Sequence, residues 1–186
     1  MRRFISALAL TLAAVGGTSA APSPLDAQGL MADMHSEVSA VQKKLIDLAT
    51  AIPESAYGWR PSAGVRTVAE VFKHVATDNY LIPIMTGTPA PASTGITGTD
   101  MKTIEAYEKR PMTKAQVIAE LTASFGHLHG ALRTTTDSNL AEMVKFFGQD
   151  MSRQKVALLT VTHLHEHLGQ SIAYARSNNV VPPWSK

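Results

Sequence analysis

Residues 152–177 read SRQKVALLTVTHLHEHLGQSIAYARS, and their apolar residues recur with the period of an α-helix. One face of this helix carries residues spaced four and three apart: Val156, Thr160, His163, His167, Gln170 and Tyr174. A second, apolar stripe beside it contains Leu164, Leu168 and Ile172. Asparagine and proline pairs follow at 178–179 and 182–183, so we expect the helix to end at residue 177.

Three earlier segments show the same helical period. They cover residues 28–50, 67–85 and 113–134. The first ends before Pro53, and the other two begin with capping boxes that pair Thr67 with Glu70 and Thr113 with Gln116. No alternating β pattern of any length and no internal repeat appears. The sequence therefore predicts an all-α protein built as a four-helix bundle.

The connections between the predicted helices are long. Residues 86–100 are rich in glycine, proline, threonine and serine, and carry no charge before Asp100. We expect a long loop there that forms part of the rim of a functional pocket. Connections of this length exceed those of a minimal up-down bundle, so at least one is expected to cross over or to carry a short extra element.

The N-terminus has the three parts of a secretory signal peptide. Two arginines precede the apolar residues 4–15, and small residues follow up to a cleavage point near Ala20 or Ala21. We expect residues 1–20 to be removed and residues 21–186 to form a single domain. The expected product is periplasmic or secreted, without stable membrane insertion. A signal retained as an anchor is the alternative.

The charge and cysteine content exclude several classes of function. Of 17 basic residues, two lie in residues 1–20, which leaves 15 against 15 acidic residues. No basic stripe or aromatic platform remains, which excludes nucleic-acid binding. The chain has no cysteine. Thiolate metal sites and a cysteine nucleophile are therefore excluded, and histidine and carboxylate residues must carry the chemistry.

His163 and His167 lie four residues apart, so their imidazoles can point at one metal ion. Leu164 follows the first histidine, so the HExxH pattern of zinc proteases is absent. Two neutral imidazoles at inward positions need polar partners. A metal ion is the simplest partner for both, and separate hydrogen bonds in the core are the alternative.

His74 is the best candidate for a third ligand, because it lies in the middle of the second predicted helix at the edge of its apolar face. An ordinary core histidine is the alternative. Asp78 follows one turn later and is our candidate catalytic residue. It is suited to act as a general base, a fourth ligand or a hydrogen-bond acceptor for an imidazole, and a plain solvated aspartate is equally compatible.

The other histidines are predicted to be structural or exposed: His35, His127, His129 and His165. His165 and Glu166 point away from the metal-binding face, because each residue of a helix turns by about 100°.

Three stretches of the chain resemble a known family. Residues 59–76 contain Trp-Arg-Pro and then His74; residues 147–153 contain Phe-Gly and Ser-Arg; residues 163–183 contain His-x-x-x-His-x-Gly-Gln, Tyr-x-Arg and Val-Val-Pro-Pro. Together they are similar to the DinB/YfiT-like superfamily, over essentially the whole of residues 21–186, with a looser match at 86–112. The resemblance implies an antiparallel four-helix bundle, often a homodimer, with a divalent metal, most often zinc or nickel, bound by His74, His163 and His167.

The resemblance also implies an activity class. Characterised relatives include thiol-dependent transferases and isomerases, but their low-molecular-weight thiols are mainly cytosolic, so the resemblance alone does not assign that activity to an exported protein. Three imidazoles leave a position open, as catalytic sites do. The leading hypothesis is a metal-dependent hydrolase or transferase that acts on a small molecule. The alternatives are a bundle that binds a metal or ligand without turnover, and one with a vestigial site.

Overall fold

The computed structural model describes residues 27–136 and 138–185. The signal peptide predicted for residues 1–20 lies outside the described residues. The helices are α1 (Ala27–Ala51), α2 (Val68–Met85), α3 (Met101–Glu108), α4 (Lys114–Leu132) and α5 (Arg153–Ser177). Strands β1 (Met143–Phe146) and β2 (Gln149–Ser152) form an antiparallel hairpin. Short 3-10 turns cover Glu54–Ala56, Ala92–Thr94 and Pro183–Ser185.

Local capping interactions start the helices where the sequence predicted. The side chain of Thr67 accepts a hydrogen bond from the backbone N–H of Glu70, and the Glu70 carboxylate accepts one from the N–H of Thr67. Thr113 and Gln116 form the same reciprocal pair at the start of α4. Each box satisfies two backbone donors that a helix start leaves unpaired, so both boxes stabilise their helices.

The four long helices pack as a ring in which α2 and α1 each lie between α4 and α5. Their shared core contains fully buried side chains from every helix, among them Leu45, Phe72, Phe125 and Leu164. Complete burial of such a side chain stabilises the fold by about 1.5–3 kcal/mol. The predicted all-α four-helix bundle is confirmed. The ring places α2 directly beside α5.

Two of the connections carry additional elements, as their length suggested. Helix α3 lies between α2 and α4, and the hairpin lies between α4 and α5. The hairpin is not predicted from the sequence, because strands of four residues are too short to show alternation. Its turn has positive φ angles at Phe147 (48°) and Gly148 (81°), which give the primed geometry that tight hairpins favour.

A second apolar cluster fixes α3 on the outside of α2. Ile104 and Tyr107 of α3 are buried against Tyr80 of α2. The Tyr107 hydroxyl donates a hydrogen bond of 2.9 Å to Glu120 on α4. Helix α3 is therefore held at both of its inward positions, which sets the direction of its last residue, Glu108.

None of the helices among the described residues combines the length and the hydropathy that a membrane crossing requires.

Candidate metal centre

Two neighbouring helices supply four potential metal ligands. His74 and Asp78 lie one turn apart on α2, and His163 and His167 lie one turn apart on α5. One donor atom from each residue lies within 4.8 Å of the other three. The structure thus brings together the three histidines and the aspartate that the sequence singled out. Ordinary helix periodicity aligns each pair, and the packing of α2 on α5 makes the two pairs meet.

The atoms that converge are the three Nε2 atoms and one carboxylate oxygen. Oδ2 of Asp78 lies 3.0 Å from Nε2 of His163 and 3.2 Å from Nε2 of His74. Its distance to Nε2 of His167 is 3.9 Å. The Nε2 atoms of His163 and His167 are 3.1 Å apart. The four atoms therefore surround a single point between the helices.

The opposite nitrogen of each imidazole faces an acceptor. Nδ1–H of His74 donates to Oε1 of Glu108 at 2.6 Å, and Nδ1–H of His167 donates to Oε1 of Gln170 at 3.1 Å. Nδ1 of His163 lies 3.6 Å from a carboxylate oxygen of Glu166. The acceptors at Nδ1 of His74 and His167 favour the tautomer with the proton on Nδ1, which leaves their Nε2 lone pairs free for a metal ion.

This arrangement fits a divalent metal ion. Nε2 of His163 lies 3.0 Å from Oδ2 of Asp78 and 3.1 Å from Nε2 of His167. In the absence of a metal a proton on Nε2 of His163 links these groups, and a cation bound at the same point replaces that proton. Three imidazole nitrogens and one carboxylate oxygen form a donor set that zinc and other first-row divalent ions accept. The site is also accessible, because 31% of the His163 side chain is exposed, whereas the other three residues are more deeply buried.

The protein shifts the pKa values of the groups at the centre in different directions. The hydrogen bond with Asp78 raises the pKa of His163, whereas burial lowers the pKa of His167. Burial opposes ionisation of Glu108, but the hydrogen bond from His74 and the charges of His74 and Arg66 outweigh it, so the pKa of Glu108 is lowered. Glu108 is therefore a carboxylate that faces one of the candidate ligands.

Comparisons with known proteins identify the family. Residues 37–171 match the sequence profile of the DinB superfamily. The chain belongs to the DinB superfamily. No curated protein matches the chain with significant sequence similarity.

Solved structures of DinB-like proteins share the fold. YfiT from Bacillus subtilis, described as a probable metal-dependent hydrolase with an unusual four-helix bundle topology, has a TM-score of 0.65 and 18% identity, covering 90% of this chain and 97% of its own. A DinB-like protein from Bacillus cereus has a TM-score of 0.62 and 19% identity. The match covers 83% of this chain and 94% of the Bacillus cereus protein. A DinB-like protein of Bacillus subtilis, YjoA, has a TM-score of 0.60 and 16% identity. The match covers 80% of this chain and 93% of YjoA.

An open cleft of about 590 Å³ adjoins the centre of this DinB-superfamily protein. It is lined by Arg60, Gly64, Val65, Arg66, Glu70, Glu105, Glu108, Lys109 and Gln170. The prediction that residues 86–100 form the rim is wrong, because α3 and the loop before α2 occupy that position. Apolar packing of Ile104 and Tyr107 draws α3 onto α2, so the end of α3 lies beside the centre instead.

Glu108 and Arg66 are the two residues that the sequence analysis missed. Glu108 accepts the hydrogen bond from His74, and its other oxygen lies 3.6 Å from a guanidinium nitrogen of Arg66. Asp100 caps α3, and Ile104 and Tyr107 are three residues apart. This short signal would have located the helix, but it does not indicate which side chain reaches the centre.

The remaining histidines of the DinB domain lie outside the cluster of four. His165 is exposed, and its Nδ1 contacts the carbonyl of Val161 on its own helix. His35 and His129 stack on each other where α1 meets α4, with ring centroids 6.0 Å apart. His127 lies against Tyr80, with ring centroids 5.4 Å apart. The assignment of these residues to structure or surface agrees with their positions.

Proposed function

We propose that this member of the DinB superfamily is a metal-dependent enzyme, a hydrolase or transferase, that acts on a small molecule. His74, His163 and His167 hold a divalent ion, zinc or nickel. The observation that supports this most directly is the convergence of three Nε2 atoms and Oδ2 of Asp78 on one accessible point. The description of YfiT as a probable metal-dependent hydrolase supports the same class.

A divalent ion at this centre supplies Lewis-acid chemistry, which polarises a substrate carbonyl and makes a water molecule or thiol more acidic. The chain's own residues prepare the centre for that role. Glu108 and Gln170 fix the ring orientations of His74 and His167 by accepting their Nδ1 protons.

Asp78 is assigned the role of proton acceptor. Its Oδ2 lies within 4 Å of all three Nε2 atoms, so it reaches any group that reacts at the centre. Three imidazoles already make a complete protein ligand set for a catalytic zinc ion. The carboxylate can therefore accept a proton at Oδ2 from the attacking nucleophile and return it to the leaving group.

The test is a turnover screen with the full chain, purified without a His-tag and loaded with Zn²⁺ or Ni²⁺. The panel contains small esters, amides and pairs of a thiol with an electrophile. We expect one class to turn over, with activity that a chelator abolishes, that added metal restores and that His167→Ala lacks. His165→Ala, on the same helix but outside the centre, should remain active. A protein that binds metal but turns over nothing in a chelator-sensitive way contradicts the enzyme hypothesis and favours a binding protein.

Export and assembly are further parts of the proposal. We infer from residues 1–20 that the chain is exported and cleaved near Ala20 or Ala21, and from its family that it forms a homodimer. Intact-mass measurement of the protein from a secreting host tests the cleavage. Light scattering tests the dimer. A mass of two chains supports it, and a mass of one chain contradicts it.

A further inference from the structure

The cleft beside the centre has the size of a small-molecule pocket. Its volume is about 590 Å³, and the loop before α2 and helices α2, α3 and α5 line it. Glu108 and Gln170 line the cleft and also accept hydrogen bonds from His74 and His167. A molecule in the cleft therefore lies one side chain away from the candidate ligands.

The three carboxylates of the cleft already have donors, and that of Glu105 pairs with Lys109. Glu70 accepts a hydrogen bond of 2.7 Å from the backbone N–H of Thr67, which belongs to the capping box of α2. Glu108 accepts the 2.6 Å hydrogen bond from His74. Each of the three carboxylates therefore has another donor, which limits its pairing with the arginines of the cleft.

The two arginines of the cleft have spare donors. Arg60 reaches Glu70 through a single long hydrogen bond of 3.4 Å. Arg66 lies 3.6 Å from Glu108, too far for a hydrogen bond, and its guanidinium makes none with the residues that the structure describes. Each guanidinium offers five N–H groups, so most donors of these two arginines have no acceptor among the described residues.

The main chain of Arg66 is held in place although its side chain is not. The Tyr174 hydroxyl on α5 donates a hydrogen bond of 3.2 Å to the carbonyl of Arg66. Thr67, the next residue, caps α2. The guanidinium thus extends from a fixed point beside the centre, and its planar fork matches a carboxylate in a bidentate geometry.

We propose that this cleft binds a carboxylate group of the substrate through Arg66, with Arg60 as a second donor. This inference rests on the proposed function, because only an enzyme has a substrate. It specifies the substrate class as a small molecule that bears a carboxylate. Arg66 anchors the charged end, and the remainder of the molecule extends past Glu108 and Gln170 to the centre.

The test is calorimetric titration of the full chain, metal-free and Zn²⁺-loaded, with four probes: hippurate, benzoate and the amide of each. Benzyl phosphate serves as a phosphate probe. We expect both carboxylates to bind in both states, and the amides to bind roughly tenfold more weakly, because each loses charge-assisted hydrogen bonds. Binding to the metal-free protein separates this proposal from the enzyme hypothesis, which requires the metal.

Variants assign the binding to the cleft. Arg66→Gln should weaken hippurate binding roughly tenfold, and Arg66→Lys, which keeps the charge but not the fork, should weaken it less. Arg176→Gln, an exposed arginine at the end of α5, is the matched control and should bind as the wild type does, with circular dichroism to verify folding. Equal binding of carboxylates and amides, unchanged binding by Arg66→Gln, or tighter binding of benzyl phosphate than of hippurate each overturns the proposal.

Discussion

Nδ1 of His74 lies 2.6 Å from Oε1 of Glu108, so the short helix α3 contacts a candidate ligand carried by α2. The two residues are 34 positions apart in the chain. Acceptors at this position orient a ligating imidazole and raise its basicity, and their loss commonly costs tenfold to a hundredfold in metal affinity. Helix α3 is thereby part of the centre as well as a wall of the cleft.

Glu108→Ala is expected to weaken metal binding, because it removes the acceptor that holds His74. We expect a loss of roughly tenfold or more in Zn²⁺ affinity, measured by competition with a chromophoric chelator. Glu105 on the same helix pairs with Lys109 at the surface, so Glu105→Ala serves as the control. Unchanged affinity in Glu108→Ala means that the contact does not support a ligand.

Asp78→Asn is expected to separate metal binding from turnover. If Asp78 accepts a proton, the variant keeps one ion per chain through the three histidines but loses roughly a hundredfold or more in turnover. Metal analysis and the rate with whichever substrate the screen provides are measured on the same sample. Loss of the metal together with activity would instead make Asp78 a ligand.

Phe125→Ala is expected to destabilise the bundle by about 3–5 kcal/mol, because it removes a ring that is fully buried between the helices. Leu158→Ala on α5 is the control, since its side chain is 45% exposed and the change should cost much less. Chemical denaturation gives both values. A similar loss in the free energy of unfolding for the two variants would contradict the position of Phe125 in the core.

Acidification is expected to destabilise the protein through the stacked pair His35 and His129. Burial and the charge of Arg133 lower the pKa of His35 below 6.5, and burial, His35 and Arg133 lower that of His129. Well above pH 6.5 both residues are neutral in the folded and unfolded states. Below it the unfolded chain binds protons more readily, so the free energy of unfolding falls as the pH decreases.

The measurement is the unfolding free energy of the metal-free protein between pH 7.5 and pH 5, for the wild type and for His35→Asn/His129→Asn. The double variant should lose less stability over that interval. The pKa of His163 is raised and acts in the opposite sense, but it is common to both proteins and cancels in the difference. Identical pH dependence in the two proteins contradicts the expectation.

The fold could be predicted because its determinants are local. The capping pairs Thr67–Glu70 and Thr113–Gln116 and the apolar stripes of the four long helices are each encoded within a few turns of one helix. The i, i+4 spacing of His163 and His167 is local too. His74 and Asp78 were candidates because of their place on the second helix, and the family resemblance supported His74 as a ligand, but no local pattern shows that α2 packs beside α5.

What could not be predicted depends on packing between distant segments. Helix α3 has eight residues and two buried side chains, too few for a clear periodic signal. The contact between Glu108 and His74 follows from how Tyr107 packs against Tyr80 and bonds to Glu120, contacts that no local pattern encodes. The cleft was misplaced for the same reason, since α3 and not residues 86–100 forms its wall.

The central claim is that one divalent ion binds between α2 and α5. The most direct test is the metal content of the full chain, purified without a His-tag, incubated with Zn²⁺ or Ni²⁺ and desalted. We expect one ion per chain in the wild type and in His165→Ala, and loss of the ion in His74→Ala and His163→Ala with helix content retained. A wild type that takes up no metal, or histidine variants that keep it, contradicts the account.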